Sequence, residues 1–474
     1  MKKLTLLILF FSLQFTAQEN EYTLGMLMDQ NKYESIELTA PLTTRSLDNL
    51  PSNYSLKAYA PTPKSQGRQP SCVGWASGYG ARTISFAIKN KWKNNIYKIN
   101  QNTFSPAFVY NMIKGKTDYA CKQGSYVGDA MQLIKNSGIL KLSDFQYTQT
   151  SCGAKPSESL LKIASKNKIE SYIRLARWDN PSNLALKVKK AISNNNPVVI
   201  GMRISSTFYK AKGTWSGLQS GSIGGHAMVV VGYDDYKDGG AFEILNSWGT
   251  KWGNNGYIWV KYNDFEKYTK TAYVMVDKIE KPEPKTIALK GSMRFQLSNG
   301  TTMPATLSPD ATRNFSIVAA TKSTYKLTNS YSSGTQFRLF FNSAKAAYVY
   351  LIGYGSSDKS ISPIYPFDNY SAYFGYTKSE VAIPSEDYFI EMDQNPGRDI
   401  LCILYSTKKI DINAVVSKLK QTNGDFTTKV KTILKPYIYE GKDITFENNL
   451  IAFTAKSTNS NAAIVPLFIE VNHK

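Results

Sequence analysis

Apolar residues follow two rhythms along the chain. In the first half, residues 72–90 carry small and apolar positions at helical spacing, although Gly78 and Gly80 weaken that helix. Residues 129–136, in GDAMQLIKNSG, repeat the helical spacing and meet a glycine stop at Gly138. The rhythm then changes. Residues 197–203 (PVVIGMR), 227–233 (AMVVVGY), 241–245 and 256–262 (GYIWVKY) are short apolar runs of strand composition. Helix-rich sequence followed by strand-rich sequence predicts an α+β domain with two subregions, spanning residues 50–278.

The stretch DKIEKPEPKT is charged, carries two prolines and reads as a linker over residues 279–286. Beyond it Ser, Thr, Asn and Tyr become frequent, and strands are expected at 336–342, 347–353, 400–405 and 464–471. One helix, at 412–420, interrupts them. Residues 287–474 are therefore expected to form a mostly-β second domain. At the other end, Lys2 and Lys3 precede an apolar run from Leu4 to Phe15, with Ala17 at a plausible cleavage point. That is the pattern of a signal peptide over residues 1–17, followed by a polar extension over 18–49. No later segment approaches 18 apolar residues, so no membrane span is expected in the mature chain. Export to a periplasm or the extracellular space, in a bacterial source, is the expectation.

The 474 residues are 42% hydrophobic and 13% aromatic, a composition that excludes a disordered chain. The formal charge of +21 comes mostly from lysine. Those lysines are scattered and arginine is scarce, so a nucleic-acid partner is not expected. The charge suits solubility and attraction to acidic surfaces or polymers.

Candidate chemistry narrows quickly. There are two histidines, and His473 is penultimate, so any cysteine–histidine catalysis must use His226, in GSIGGHAMVVVGY. Twenty residues further on, EILNSWGTKWGNNGYIWV places Asn246 and Trp248 before a glycine-rich turn. Four cysteines occur, and four allow three pairings. Cys402, in DILCILYS, reads as a buried free thiol, while Cys121 and Cys152 are the candidates for a bridge. Cys72, in SQGRQPSCVGWASG, is left as the candidate nucleophile. A cysteine, a histidine base and an amide that orients the imidazole make a catalytic set. Cys72 and His226 are about 150 positions apart, a spacing found in papain-type enzymes. Two distant histidines and no cysteine cluster suggest neither a metal site nor a cofactor.

Three segments in order, QGRQPSCVGWA, GHAMVVVGY and NSWGTKWGNNGYIWV, make residues 50–278 resemble the papain family of cysteine peptidases. The resemblance implies a two-subdomain fold with a helical half and a β-barrel-like half. It implies Cys72 as nucleophile, paired with His226 as thiolate and imidazolium. Asn246 would fix the ring, and Trp248 would shield that bond and line the cleft. Gln66 would donate to the oxyanion beside the Cys72 N–H. Gly124 would offer backbone hydrogen bonds to an extended polypeptide substrate. Gly201 and Gly225 would line an apolar-accepting pocket for the second residue upstream of the scissile bond. Cys121 and Cys152 fall where family members carry bridged cysteines.

Departures are visible too. Gln69 and Val73 stand where the family usually has Cys and Trp, so one usual disulfide is missing. The segment EYTLGMLMDQNKYESIELTA is too short for the usual helical propeptide; it would block or brace the cleft or pack on the surface, and packing is preferred. The C-terminal part resembles a bacterial β-rich domain of unknown function attached to various enzymes, with surface or polymer binding as one role and stabilisation as the other. An inactive papain-like binding or adhesion scaffold, and a transpeptidase using the same acyl-enzyme, are the competing readings of the whole.

Overall fold

A computed structural model describes residues 22–48, 50–179, 181, 183–217, 221–308, 323–377, 379–458 and 460–474. The expected signal peptide, residues 1–17, lies outside the described residues. After the short helix α1 (Gln30–Glu34), the axis of the first half is a helical rod, α2, made of Cys72–Gly74, a π-helical stretch Trp75–Arg82 and Thr83–Lys89. It ends at Asn90, as the spacing predicts. The glycines that weaken it in isolation admit its neighbours. A Cβ on Gly80 would lie 2.7 Å from Val229 Cγ2, and one on Gly74 would lie 2.5 Å from the Pro106 carbonyl oxygen. So α2 packs directly on a sheet on one side and on α3 (Pro106–Ile113) on the other. The next helix, α4 (Val127–Ser137), stops at Gly138, whose φ of +80° suits glycine.

The sheet under α2 has eight strands, mostly antiparallel. Its path runs β1 (Ser171–Arg174), β6 (Thr269–Val276), β2 (Val198–Ile204), β3 (Gly224–Asp234), β4 (Ala241–Leu245) and β5 (Tyr257–Lys261). The runs read as strands from the sequence become β2, β3, β4 and β5 with ends shifted by at most a few residues. Packed between helices and sheet, their apolar residues form one continuous core with α2.

Residues 277–286 carry no strand, but Lys285 N–H donates to the Ser457 carbonyl (3.0 Å) and Lys281 Nζ to that of Ser460 (2.6 Å), which holds the segment against the C-terminal unit. In that unit, two seven-stranded sheets face each other. One contains β7 (Ile287–Leu297), β8 (Gln336–Ser343), β10 (Ser379–Ile383) and β12 (Ile451–Lys456); the other contains β9 (Ala347–Tyr354), β11 (Gly397–Ser406) and β13 (Ile464–His473). The alternation on β11 explains its unbroken apolar run. Leu401, Ile403 and Tyr405 face the other sheet, while Cys402 and Leu404 face two helices, α5 (Ile412–Gln421) and α6 (Phe426–Leu434). Cys402 is a buried free thiol whose pKa burial drives upward. The helix α6 was not anticipated from the sequence; Phe426, Val430 and Leu434 repeat every fourth residue and cover the sheet.

Ser105 caps α3. Its Oγ accepts from Phe108 N–H (3.0 Å) and donates to the Phe145 carbonyl (2.6 Å), fully buried beside α2. Ser105→Ala is expected to lower the unfolding free energy by about 1–2 kcal/mol, read as a fall in the urea midpoint at unchanged slope.

Candidate active site

Two loops meet at the N-terminus of α2. Gln66 N–H donates to the Ser247 carbonyl (2.8 Å), Gly249 N–H to the Lys64 carbonyl (3.2 Å), and Ser65 bridges Trp248. This short antiparallel contact brings QGRQPSC against NSWG. The cysteine loop is pinned from the other side by Tyr147, whose hydroxyl donates to the Gln66 carbonyl (2.7 Å) and lies 2.8 Å from Ser71 Oγ. Gln69, standing where the resemblance leads one to expect a cysteine, is buried and donates to the Ser151 (3.3 Å) and Thr148 (3.4 Å) carbonyls. That loop is itself held by the Cys121–Cys152 disulfide.

His226 stands on β3, and its Nε2 lies 2.7 Å from Asn246 Oδ1. The tautomer is fixed by a third group. Ser247 N–H donates to the same Asn246 oxygen (2.8 Å), so that atom is an acceptor and His226 Nε2 must carry the hydrogen. Among the described residues the buried His226 Nδ1 has no hydrogen-bond partner, and its lone pair is free to take a proton. Trp248 stacks on the imidazole with ring centroids 4.8 Å apart. Cys72 is the first residue of α2 and is fully buried. The Ala227, Gly25 and Val73 amides face its sulfur, which places the thiol beside the His226 backbone.

The side chain of Gln66 is equally fixed. Its Oε1 accepts from Ser247 Oγ (2.7 Å), which turns Nε2 outward. Nε2 donates to the Gln69 carbonyl (2.9 Å) and to the carbonyl of Thr23 (2.8 Å). The second of these contacts belongs to a segment that lies in the cleft. Residues 22–28, which the sequence favoured as surface packing, run through it. Tyr22 stacks on Trp248 at 4.9 Å, and Thr23 Oγ1 donates to the Arg68 carbonyl (2.9 Å). Gly25 passes so close to Pro70 that a Cβ would fall 2.0 Å from its carbonyl oxygen. Met26 N–H donates to the Gly225 carbonyl (3.2 Å).

Backbone hydrogen bonds on the opposite wall come from Ser125, one residue beyond Gly124. Ser125 N–H donates to the Gly25 carbonyl (2.8 Å), and its own carbonyl accepts from Leu27 N–H (2.9 Å). Gly124 supplies clearance, since a Cβ there would sit 2.4 Å from the Gly25 oxygen. Gly201 and Gly225 together flank Met26. A Cβ on Gly201 would lie 1.9 Å from Met26 Cε, and one on Gly225 would lie 2.6 Å from the Met26 carbonyl oxygen. Past Tyr22 the cleft opens into a cavity of about 640 Å³ lined by Trp75, Tyr147, Trp248, Lys64 and Lys251.

Under this cover burial favours the neutral pair. Burial pushes the Cys72 thiol up to about 11, against the lowering effect of the surrounding amides. Burial also pulls the His226 imidazole down to about 4, with the Asn246 hydrogen bond opposing. The closed cleft thus works against the thiolate–imidazolium pair that the resemblance implies, because neither charge would have water around it. Sequence reasoning missed Ser247, Ser125 and Tyr147; Ser247 alone carried a signal, inside NSWG. Among the described residues no group of three or more His, Cys, Asp or Glu side chains is placed to hold a metal ion, and no helix is long and apolar enough to cross a membrane.

Comparison with known proteins agrees with this architecture. Residues 62–277 match the papain family cysteine protease, and residues 330–409 match a domain of unknown function (DUF4384). An uncharacterized peptidase C1-like protein of Acanthamoeba polyphaga mimivirus is 24% identical over 255 residues, 49% of this chain and 76% of that protein. A probable cysteine protease of Arabidopsis thaliana is 34% identical over 28% of this chain and 35% of its own length. Ananain of Ananas comosus is 28% identical over 41% of this chain and 50% of its own length. The chain thus spans three quarters of the viral relative and half or less of the two plant ones. Among solved structures, xylellain, a cysteine protease from Xylella fastidiosa, aligns with a TM-score of 0.44 at 21% identity, over 54% of this chain and 96% of that one.

The buried pair also sets how cleft closure depends on pH. Closed, His226 takes a proton only near 4 and the Cys72 thiol keeps its own up to about 11, so between those values the closed pair carries one proton, on sulfur. An open pair that passes this proton to the imidazole, as thiolate and imidazolium, also carries one, so opening takes up no proton where both forms hold one. Hydrogen exchange corrected for intrinsic rates is expected to show protection of Met26 and Leu27 changing by less than about twofold from pH 7 to pH 5. An open pair that stayed neutral would instead take a second proton near 6.5, and protection would fall by up to about tenfold per unit below that.

Proposed function

We propose that this chain, in which residues 62–277 are a domain of the papain family of cysteine proteases, is an exported cysteine endopeptidase held latent by its own residues 22–28. Polypeptides are the substrates of this domain's family. In the reading advanced here, opening lets the Cys72 proton pass to His226 Nδ1, and the thiolate attacks the scissile carbonyl. The carbonyl becomes an oxyanion that accepts from Gln66 Nε2 and the Cys72 N–H. The C–N bond breaks, the leaving amine takes the proton from His226, and a thioester on Cys72 remains. Water, deprotonated by His226, then releases the acid and restores the thiol. Asn246 keeps the imidazole in the required tautomer throughout, and Trp248 keeps water from that hydrogen bond.

One observation carries this reading. Gln66 Nε2 donates to a backbone carbonyl, that of Thr23, beside a buried cysteine and a histidine whose Nδ1 is unpaired. The segment that provides the carbonyl escapes cleavage because of its direction. Met26 sits between Gly201 and Gly225, the glycines read as the upstream pocket, while Tyr22, earlier in the chain, lies on Trp248 at the other end. A substrate with its upstream residue in that pocket runs the opposite way. The Met26 side chain also supports a pocket that accepts a long apolar residue. Export rests on the lysine-led apolar run at residues 2–15 and suits the Cys121–Cys152 disulfide.

The test uses the full chain with Gly25→Val, whose branched side chain cannot pass the Pro70 carbonyl. A fluorogenic peptide with methionine or leucine two residues upstream of the cleaved bond is expected to be hydrolysed by Gly25→Val and only slowly by the unmodified chain. Adding Cys72→Ala or His226→Ala is expected to abolish turnover, and Gln66→Ala to lower kcat/KM by about 100-fold. A folded Gly25→Val protein with no turnover on any peptide overturns the enzymatic reading in favour of an inactive scaffold.

A further inference from the structure

We propose that the C-terminal unit, which matches a domain of unknown function, is the latch that keeps residues 22–28 in the cleft, by holding the extended stretch of residues 36–43, and the helix ends on either side of it, as a strand-like segment shared between the two units. The proposal rests on the peptidase reading above and assigns that unit a regulatory role.

The sharing is built into the strand's alternation. Glu37 and Thr39 face the peptidase sheet at the end of β1: Arg174 N–H donates to the Glu37 carbonyl (2.9 Å), and Thr39 N–H to that of Arg174 (2.8 Å). Leu38 faces the other way, its N–H donating to the Asn369 carbonyl (2.8 Å) and its carbonyl accepting from Ser371 N–H (2.7 Å). Leu38 thus bridges Arg174 and Tyr370 in parallel. Four residues on, Leu42 pairs with Val381 on β10, with Thr43 N–H donating to the Glu380 carbonyl (3.0 Å) and Ala382 N–H to that of Pro41 (3.0 Å). Glu386 Oε2 accepts from Thr44 N–H (2.6 Å) and Thr44 Oγ1 (2.7 Å).

The C-terminal unit also grips the end of the segment nearest the cleft. The Asn369 side-chain amide donates to the Glu34 (2.9 Å) and Ile36 (3.0 Å) carbonyls, and Asn369 holds a φ of +59° that asparagine tolerates. Ser371 Oγ donates to Glu37 Oε2 (2.9 Å), and Lys409 pairs with the other oxygen of the same carboxylate. Between this grip and the cleft there is no slack. Asp29 caps α1, Tyr33 on α1 is buried against Tyr273, and Arg174, itself buried, binds the Ile36 carbonyl (2.8 Å) and Glu34 Oε2 (2.7 Å). A rigid helix therefore couples Asn369 to Met28. Residues 22–28 leave the cleft only when the strand behind them gives way, and part of its hold comes from the C-terminal unit.

The experiment follows labelling of Cys72 in the full chain by a peptidyl epoxide, read by mass spectrometry, in three variants. Gly25→Val frees the cleft directly. Asn369→Gly with Ser371→Ala removes the three side-chain hydrogen bonds to residues 34–37, together with the one that Ser371 Oγ accepts from Tyr373 N–H, and keeps the left-handed backbone. Leu42→Cys with Val381→Cys crosslinks a pair that makes no ladder hydrogen bonds with each other, the closer type of antiparallel pair. The proposal expects fast labelling of Gly25→Val, labelling of the Asn369/Ser371 variant about tenfold above the unmodified chain, and labelling of the crosslinked variant below it until a reductant opens the bridge. Fast Gly25→Val with the Asn369/Ser371 variant at the unmodified rate, and no effect of the crosslink, overturns the latch and leaves the peptidase reading standing. A folded Gly25→Val protein that does not label overturns the peptidase reading, and the latch with it.

Discussion

All three polar groups of Ser247 are committed to neighbours, and the site takes its form from that. Its N–H donates to Asn246 Oδ1, which makes that oxygen the acceptor for His226 and sets the imidazole tautomer. Its carbonyl accepts from Gln66 N–H and docks the cysteine loop. Its hydroxyl donates to Gln66 Oε1 and so turns the amide nitrogen towards the cleft. One small buried residue thereby orients the His226 imidazole and the Gln66 amide, which on the peptidase reading are the base and the oxyanion donor. Each of these bonds contributes only about 1 kcal/mol in net stability, but a misplaced donor or base forfeits far more in rate.

The same geometry explains how a chain with this site can be stored intact. Covering Cys72 and His226 removes the water that either charge needs, so the closed form favours the neutral pair. Gly25 makes the cover thin enough to pass Pro70, and Tyr22 on Trp248 and Met26 between two glycines anchor it on both sides. On the peptidase reading the cover runs backwards and presents a carbonyl to Gln66 without offering a bond for cleavage. The closed state is thus held by ordinary hydrogen bonds and apolar contacts.

Much of this was legible in the sequence because the relevant signals were local or forced. With two histidines in the chain, His226 needed no structural help. β2 to β5 were readable because their apolar runs are bounded by turns, and the run at Cys402 because both faces of its strand are buried. The unread parts depend on backbone atoms or on close approach. Ser125 contributes only its main chain, so the pattern points one residue away, to Gly124. Gly78 and Gly80 look like helix breakers until the start of α3 against the first and the sheet against the second are known. TLGMLM looks like a surface segment, since nothing in its composition tells that its glycine fits beneath Pro70. The second helix over the outer sheet was lost among the charged lysines around Phe426, Val430 and Leu434.

The most direct test of the central claim is the pH dependence of iodoacetamide alkylation at Cys72 in the Gly25→Val chain, with each cysteine followed separately by mass spectrometry. An open cleft that assembles the thiolate–imidazolium pair predicts fast alkylation near pH 5, lost on adding His226→Ala, while Cys402 stays unreactive. A rate that falls away below about pH 8, as for an ordinary thiol, with or without His226, would contradict the account.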